Sequence, residues 1–213
     1  MKNKQGGFTL VEIAIVLVII GLLLGGVLKG QELITQAKIK NIANDLNGLS
    51  AAVYGYQDRY KKFPGDDDQA EDRWGATVTV KGGGNGVVGD AGIAALLDCV
   101  TTDKAKENCR FWQHLRLSGF IGGDSASTLP PQNAAGGVLQ VQAGALGLAG
   151  LTICTPNLLG KIANAIDAQF DDGKPGTGQV RGTNDPTKLS TKLGDTDAYI
   201  DDASTVYVVC KAL

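Results

Sequence analysis

The chain has 213 residues, enough for one domain or for one domain with an appendage. Hydrophobic residues make up 43% and charged residues 20%, which excludes a disordered polar tail. A formal net charge of −2 removes any general case for nucleic-acid binding, and the composition also excludes collagen, a coiled-coil rod and a multi-span membrane protein. Mean hydropathy is +0.00 because it averages two unlike parts. Residues 8–28 are almost wholly apolar, and the remainder of the chain is a polar domain rich in glycine.

The first seven residues, MKNKQGG, are polar and carry Lys2 and Lys4. Phe8 to Leu28 then runs FTLVEIAIVLVIIGLLLGGVL with one charge, Glu12. At about 1.5 Å per helical residue it spans roughly 30 Å, the thickness of a bilayer core. Lysines before the run, and none until Lys29, favour a cytoplasmic N-terminus. Three readings compete: a secretory signal cleaved behind the run, an uncleaved signal anchor, and a segment cleaved ahead of the run and therefore retained. The first lacks a good small-x-small site close behind the run, since Thr35-Gln36-Ala37 lies well beyond Val27 in a polar helical stretch.

The third reading rests on Gly6-Gly7-Phe8-Thr9-Leu10-Val11-Glu12, which resembles the prepilin signature of type IV pilins and type II secretion pseudopilins. The resemblance implies cleavage after Gly7 by a prepilin peptidase and methylation of the new amine on Phe8. Losing Lys2 and Lys4 would take the side-chain net charge from −2 to −4. The resemblance also gives Glu12 a role. A carboxylate within a membrane helix costs a few kcal/mol and normally has a partner or a function. The implied partner is the Phe8 amine of a neighbouring subunit, which would set axial register in a filament. The plain alternative is that Glu12 sits near the helix start and reaches the interface.

The helical pattern continues past Leu28 through Leu33, Ile34, Ile39, Ile42, Leu46, Leu49, Val53, Tyr56 and Tyr60, at three- and four-residue steps. One helix is expected from about Phe8 to Arg59, roughly 80 Å long, with its first half protruding and its second lying on the globular domain. Pro64-Gly65 should end it. Gly21, Gly25, Gly26 and Gly30 permit close helix packing and weaken the helix, and they stand where pilins of this family often have a proline near the position of Lys29.

Further along, Ala76–Lys81 reads as a strand and Gly82-Gly83-Gly84-Asn85-Gly86 as a loop. Ala91–Leu97 reads as a short helix capped by Asp90, and Asp103–Leu117 as a longer one. Val138–Gln142 and Leu148–Cys154 read as strands. Thr155-Pro156 reads as the start of a helix, with a threonine cap followed by proline at the first helical position and a stop at Asp172-Gly173. Gln179–Arg181 and Thr205–Lys211 read as strands. The expected class is α+β and pilin-like: a long N-terminal helix, half transmembrane, packed on a small antiparallel β-sheet domain with extra helices and loops. The resemblance divides the chain into a leader (1–7), a transmembrane and polymerisation helix (8–28), its amphipathic second half (29–62) and a periplasmic or extracellular domain (63–213). Phe63-Pro64-Gly65-Asp66, Phe111-Trp112-Gln113-His114-Leu115 and Ile166-Asp167 through Pro175 also look like patterns in large prepilin-type proteins, without an assigned role.

Cys99, Cys109, Cys154 and Cys210 all lie beyond the anchor, on the oxidising side if the leader is cytoplasmic. Three pairings are open, and Cys99–Cys109 with Cys154–Cys210 is favoured, one closing a short loop and the other stapling two strands. No Cys-x-x-Cys pair supports zinc. Acid clusters occur at Asp66–Asp68 with Glu71 and Asp72, at Asp171-Asp172, and at Asp195, Asp197, Asp201 and Asp202. Solvated loops explain such runs. The best calcium candidate is Asp167, Asp171 and Asp172, ahead of the turn at Gly173, Pro175 and Gly176, without EF-hand spacing. His114, the lone histidine, lies on an apolar helix and reads as structural, and no nucleophile motif supports catalysis.

The leading expectation is therefore a structural filament subunit in the bacterial inner membrane, single-pass with a cytoplasmic N-terminus and later in a periplasmic or extracellular filament. Its expected partners are other pilin subunits, the prepilin peptidase and an inner-membrane assembly platform. The alternatives are a type II secretion pseudopilin, or a minor or tip pilin that binds a surface or DNA. Lys38/Lys40 and Arg59/Lys61/Lys62 are the only basic concentrations, so no nucleic acid is expected.

Overall fold

The computed structural model describes residues 9–89, 99, 105–187, 189 and 198–213. The elements are α1 (Leu10–Tyr60), α2 (Ala70–Trp74), α3 (Glu107–Leu117), β1 (Gln140–Ala145), β2 (Leu148–Leu159), α4 (Gly160–Phe170), β3 (Val180–Thr183) and β4 (Val206–Ala212). This is an α+β, pilin-like arrangement of a long N-terminal helix, an antiparallel sheet and extra helices.

The chain divides into two units, Met1–Lys38 and Ile39–Leu213. In the first, the helix is apolar and uncovered. Every residue from Leu10 to Leu28 is exposed, with Leu10 at 92% and Leu22 at 74%. Lys29 and Glu32 form an exposed ion pair one turn apart, 2.9 Å, which marks the change to a polar surface.

In the second unit the helix turns one face inward. Ile39, Ile42, Ala43, Leu46, Leu49, Ala52, Val53 and Tyr56 are buried, the three- and four-residue spacing of an amphipathic helix. The helix stops at Tyr60, ahead of Pro64. Lys61 takes the left-handed conformation (φ 58°), and its N–H donates to the Gln57 carbonyl at 2.8 Å.

The sheet order is β1-β2-β4-β3, antiparallel throughout. Side chains alternate between its faces, as the pleat requires. Val141, Leu151, Ile153, Leu158, Val180, Tyr207 and Val209 join one core with the buried face of α1, with Phe111, Trp112 and Leu115 of α3, and with Ile162, Ala163 and Ile166 of α4. Cys154, Val208 and Cys210 point the other way, into a smaller cluster with Leu146, Leu148 and Leu189. Cys154 pairs directly with Cys210 across the β2–β4 ladder and is bonded to it, with Cα atoms 4.0 Å apart. Cys99 is bonded to Cys109 at the start of α3. These are the two pairings that the sequence favours.

Three expectations need correction. Ala76–Lys81 is a turn followed by unpaired backbone, because side chains of α3 take its polar groups. The second long helix starts at Glu107, and Lys106 is still extended (ψ 128°). Thr155-Pro156 does not start a helix. Thr155 pairs with Val209 inside β2, and its hydroxyl accepts from Asn133 Nδ2 at 2.7 Å instead of capping. The ladder breaks between Thr155 and Leu158, where Asn157 has φ 64°, and Pro156 sits in that irregularity, where a missing N–H is tolerated. The helix begins only at Gly160 and ends at Phe170. The expected short helix Ala91–Leu97 and the acids Asp195 and Asp197 lie outside the described residues.

The Cys154–Cys210 bridge closes a segment with a sequence separation of 56, so it restricts the unfolded chain strongly. Replacing both residues with alanine should lower the stability of the detergent-solubilised chain by about 2–4 kcal/mol. Denaturant melts of the variant and of the oxidised parent, compared directly, measure this.

Candidate functional site

Thr9 and Glu12 form a closed capping box at the start of α1. The Thr9 N–H and the Thr9 hydroxyl both donate to Glu12 Oε2 at 2.8 Å, and the Glu12 N–H donates to Thr9 Oγ1 at 3.3 Å. The pattern is Thr-x-x-Glu ahead of an apolar run, in which each side chain satisfies the other's otherwise orphaned backbone N–H. Glu12 is thus held against the helix end, while the charge itself has no cationic partner among the described residues. Thr9 has no role in the expectations drawn from the sequence, although its spacing from Glu12 is the signal of such a box. Gly7 and Phe8, the expected processing residues, lie outside the described residues. Beyond the box comes the exposed apolar surface Leu10–Leu28, in the one helix among the described residues long and apolar enough to cross a membrane. Gly21, Gly25, Gly26 and Gly30 have nothing within 4 Å of where a Cβ would be, so this surface is open to close approach.

The three patterned stretches of the second unit all serve internal hydrogen bonding. His114 is fully buried. Its Nδ1 accepts from the Gly65 N–H at 3.0 Å, which leaves Nε2 as the protonated nitrogen facing Val80 O (3.3 Å) and Thr79 Oγ1 (3.2 Å). Gln113 binds Thr79 Oγ1 and the Val78 carbonyl, both at 3.0 Å. The backbone expected as a strand is therefore held by α3. Gly65 has φ 88°, and a Cβ there would collide with the Glu107 carbonyl, so only glycine fits.

Asp66 accepts from the N–H groups of Asn85 and Gly86, and Glu107 from those of Gly83 and Gly89. Two carboxylates thereby organise the glycine loop. Asp67, also buried, accepts from the Tyr56 hydroxyl at 2.6 Å and pairs with Arg73. Of the basic residues near the end of α1, Arg59 lies over the Phe120 ring, Lys61 pairs with Asp58 and Lys62 with Asp68.

Asp167, Asp171 and Asp172 are each engaged by the chain's own donors. Asp167 accepts from the Tyr199 hydroxyl (2.6 Å) and the Gly173 N–H (3.0 Å). Asp171 accepts from the N–H groups of Gln179 and Val180. Asp172 accepts from the Lys174 N–H and the Thr177 hydroxyl. Among the described residues no group of three metal-ligating side chains converges.

With this geometry in place, residues 2–28 match the family model described as the prokaryotic N-terminal methylation motif. The chain carries the type IV pilin and pseudopilin signature. That motif points to a structural protein, and together with the apolar helix it fits a membrane-anchored one. No curated protein and no solved structure gives a significant match.

Two buried groups respond to pH in opposite directions. Burial lowers the His114 pKa to about 4, assisted by the charges of Arg110 and Arg73 and opposed by the Val80 hydrogen bond. The unfolded chain then binds a proton below about 6.5 that the folded chain refuses, so this stability is present above 6.5 and lost as pH falls toward 4. Burial raises the Asp167 pKa to about 6 against its hydrogen bonds from Tyr199 and Gly173. The folded chain then takes up a proton first, and stability is gained as pH falls from about 6 toward 4. The two effects largely cancel. Asp167→Asn should expose the histidine effect, with the variant losing about 2 kcal/mol more than the parent between pH 7 and pH 4.5. Denaturant melts across that range test this, and parallel pH profiles would contradict it.

Proposed function

We propose that this chain is a structural subunit of a type IV pilus-like filament, cleaved after Gly7 and assembled through its N-terminal apolar helix. The observation that carries this reading is an uncovered apolar helix, Leu10–Leu28, whose one carboxylate stands inside a matched methylation motif. Such a surface needs either lipid or other copies of itself.

Before assembly the helix spans the inner membrane with its N-terminus in the cytoplasm, and Lys2 and Lys4 hold the leader there. The prepilin peptidase removes residues 1–7 and methylates the amine of Phe8. In the bilayer the capping box supplies Glu12 with two hydrogen-bond donors but no counter-charge. The Phe8 amine of an adjacent subunit provides that charge, so extraction from lipid replaces an uncompensated carboxylate with an ion pair in a dry core. Contacts between unlike surfaces of successive subunits then build an open helical filament from an inner-membrane platform. Residues 29–62 continue the helix, and 63–213 form the domain whose loops face outward.

Two measurements test this. Mass spectrometry of sheared filaments should find an N-terminal peptide starting at N-methylated Phe8, and an intact Met1 in mature filaments would refute the processing step. Glu12→Ala should be cleaved as the parent is, while its filament yield drops at least about tenfold, consistent with losing one charge pair of a few kcal/mol. Normal filaments from that variant would remove Glu12 from the mechanism.

A further inference from the structure

The chain contains two Asn-Gly pairs, Asn47-Gly48 and Asn85-Gly86. Asparagine before glycine is the pair in which a chain most readily attacks itself, because no side chain on the second residue shields its backbone nitrogen. In the second pair the Gly86 nitrogen would attack Cγ of Asn85. A C–N bond forms, the Cγ–Nδ2 bond breaks, and ammonia leaves with the proton of the Gly86 N–H. Water then opens the resulting succinimide at either carbonyl, giving aspartate or isoaspartate. Asn47-Gly48 lies inside α1, where the helix commits the Gly48 N–H to the carbonyl four residues back.

Asn85 and Gly86 are both exposed, and nothing lies within 4 Å of where a Cβ on Gly86 would be. Water and the attacking nitrogen are therefore not obstructed by packing. Hydrogen bonds restrain the pair instead. The Gly86 N–H donates to Asp66 Oδ2 at 2.7 Å, and the Asn85 N–H donates to Oδ1 of the same carboxylate at 3.0 Å. The carboxamide is engaged too, since Asn85 Oδ1 accepts from the Val87 N–H at 2.9 Å. Asp66 is 1% exposed, and its own carbonyl accepts from the Gly84 N–H at 2.9 Å, so the carboxylate is fixed on the far side of the loop. Glu107 holds Gly83 at 2.7 Å and Gly89 at 3.0 Å on either side.

Attack requires a free Gly86 nitrogen and a carboxamide turned onto it. The bonds to Asp66 and Val87 must break first, and those to a carboxylate are the stronger kind. We propose that Asn85-Gly86 is a latent self-modification site, held unreactive by Asp66 and converted to isoaspartate or aspartate when the loop leaves that carboxylate. The conversion is one-way. Isoaspartate lengthens the backbone by a methylene, and either product sets a new negative charge beside Asp66, so the loop no longer fits its two carboxylates.

The proposal concerns the globular unit and does not depend on filament assembly. The full chain in detergent is aged at neutral pH beside a synthetic peptide of residues 81–90, and both are followed by peptide mapping that separates isoaspartate from asparagine. Asn85 in the folded chain should convert at least about tenfold more slowly than in the peptide. Asp66→Asn keeps the size of the side chain and removes its charge. It should speed conversion at Asn85 by at least about tenfold while Asn47 in α1 stays intact, and Glu107→Gln should act in the same direction. Conversion of Asn85 in the folded parent at the rate of the peptide would overturn the proposal. So would a parent-like rate at Asn85 in a folded Asp66→Asn chain. If Asp66→Asn unfolds the chain, both asparagines speed up together, and Glu107→Gln with the comparison of parent and peptide then decides.

Discussion

Water is a poor solvent for the surface from Leu10 to Leu28, and no other part of the described chain covers it. Burying an apolar side chain is worth about 1.5–3 kcal/mol, so this long run of uncovered helix creates a large drive toward lipid or toward like helices. The rest of the chain accommodates that constraint. The helix carries glycines where neighbours can approach, one carboxylate, and a surface that turns more polar from Lys29 onward, with Leu33 and Ile34 still exposed. In the filament proposed above, Glu12 would introduce specificity into an otherwise undirected attraction. Apolar contact alone leaves the axial position of a helix free, whereas a single buried charge is satisfied only at the register that brings it a counter-ion.

The globular unit solves a different problem. The chain has 30 glycines and few aromatic residues, so little of the loop structure is held by side-chain packing. Carboxylates hold it instead. Asp66 and Glu107 gather the N–H groups of the loop around residues 83–89, Asp171 those of Gln179 and Val180, and Asp202 that of Ser204. Backbone donors must be satisfied somewhere, and a short acid is an acceptor that a glycine loop can wrap. The acid clusters that read as solvated or calcium-binding from spacing alone are largely occupied in this way. The neutral His114 belongs to the same scheme, since it accepts from Gly65 on one side and faces Val80 on the other.

The long helix is legible in the sequence because its pattern is long. Apolar steps from Ile39 to Tyr56 appear in the structure as the buried face, position by position. The strands β1 and β4 lie close to their expected places for a similar reason, their alternation being enforced by a sheet with a core on either face. The failures share a cause. Thr155-Pro156 has the local chemistry of a helix start, yet pairing with Val209 and the hydrogen bond from Asn133, 22 positions away, keep it in β2. Val78 and Val80 alternate like a strand, but Gln113 and His114 claim the polar groups of that segment from across the fold. In each case a partner distant in sequence outweighs a local preference.

What the sequence determined by itself is the N-terminal element, because its properties are local: an apolar length matched to a bilayer, an N-terminal methylation motif, and a Thr-x-x-Glu box that closes within one turn. The bonding of Cys154 to Cys210, the conversion of Thr155–Leu159 from helix to strand and the neutral buried state of His114 were decided by tertiary structure. Each depends on groups tens of residues apart meeting in a water-poor interior, where an unsatisfied polar atom is costly and geometry decides which partner it finds.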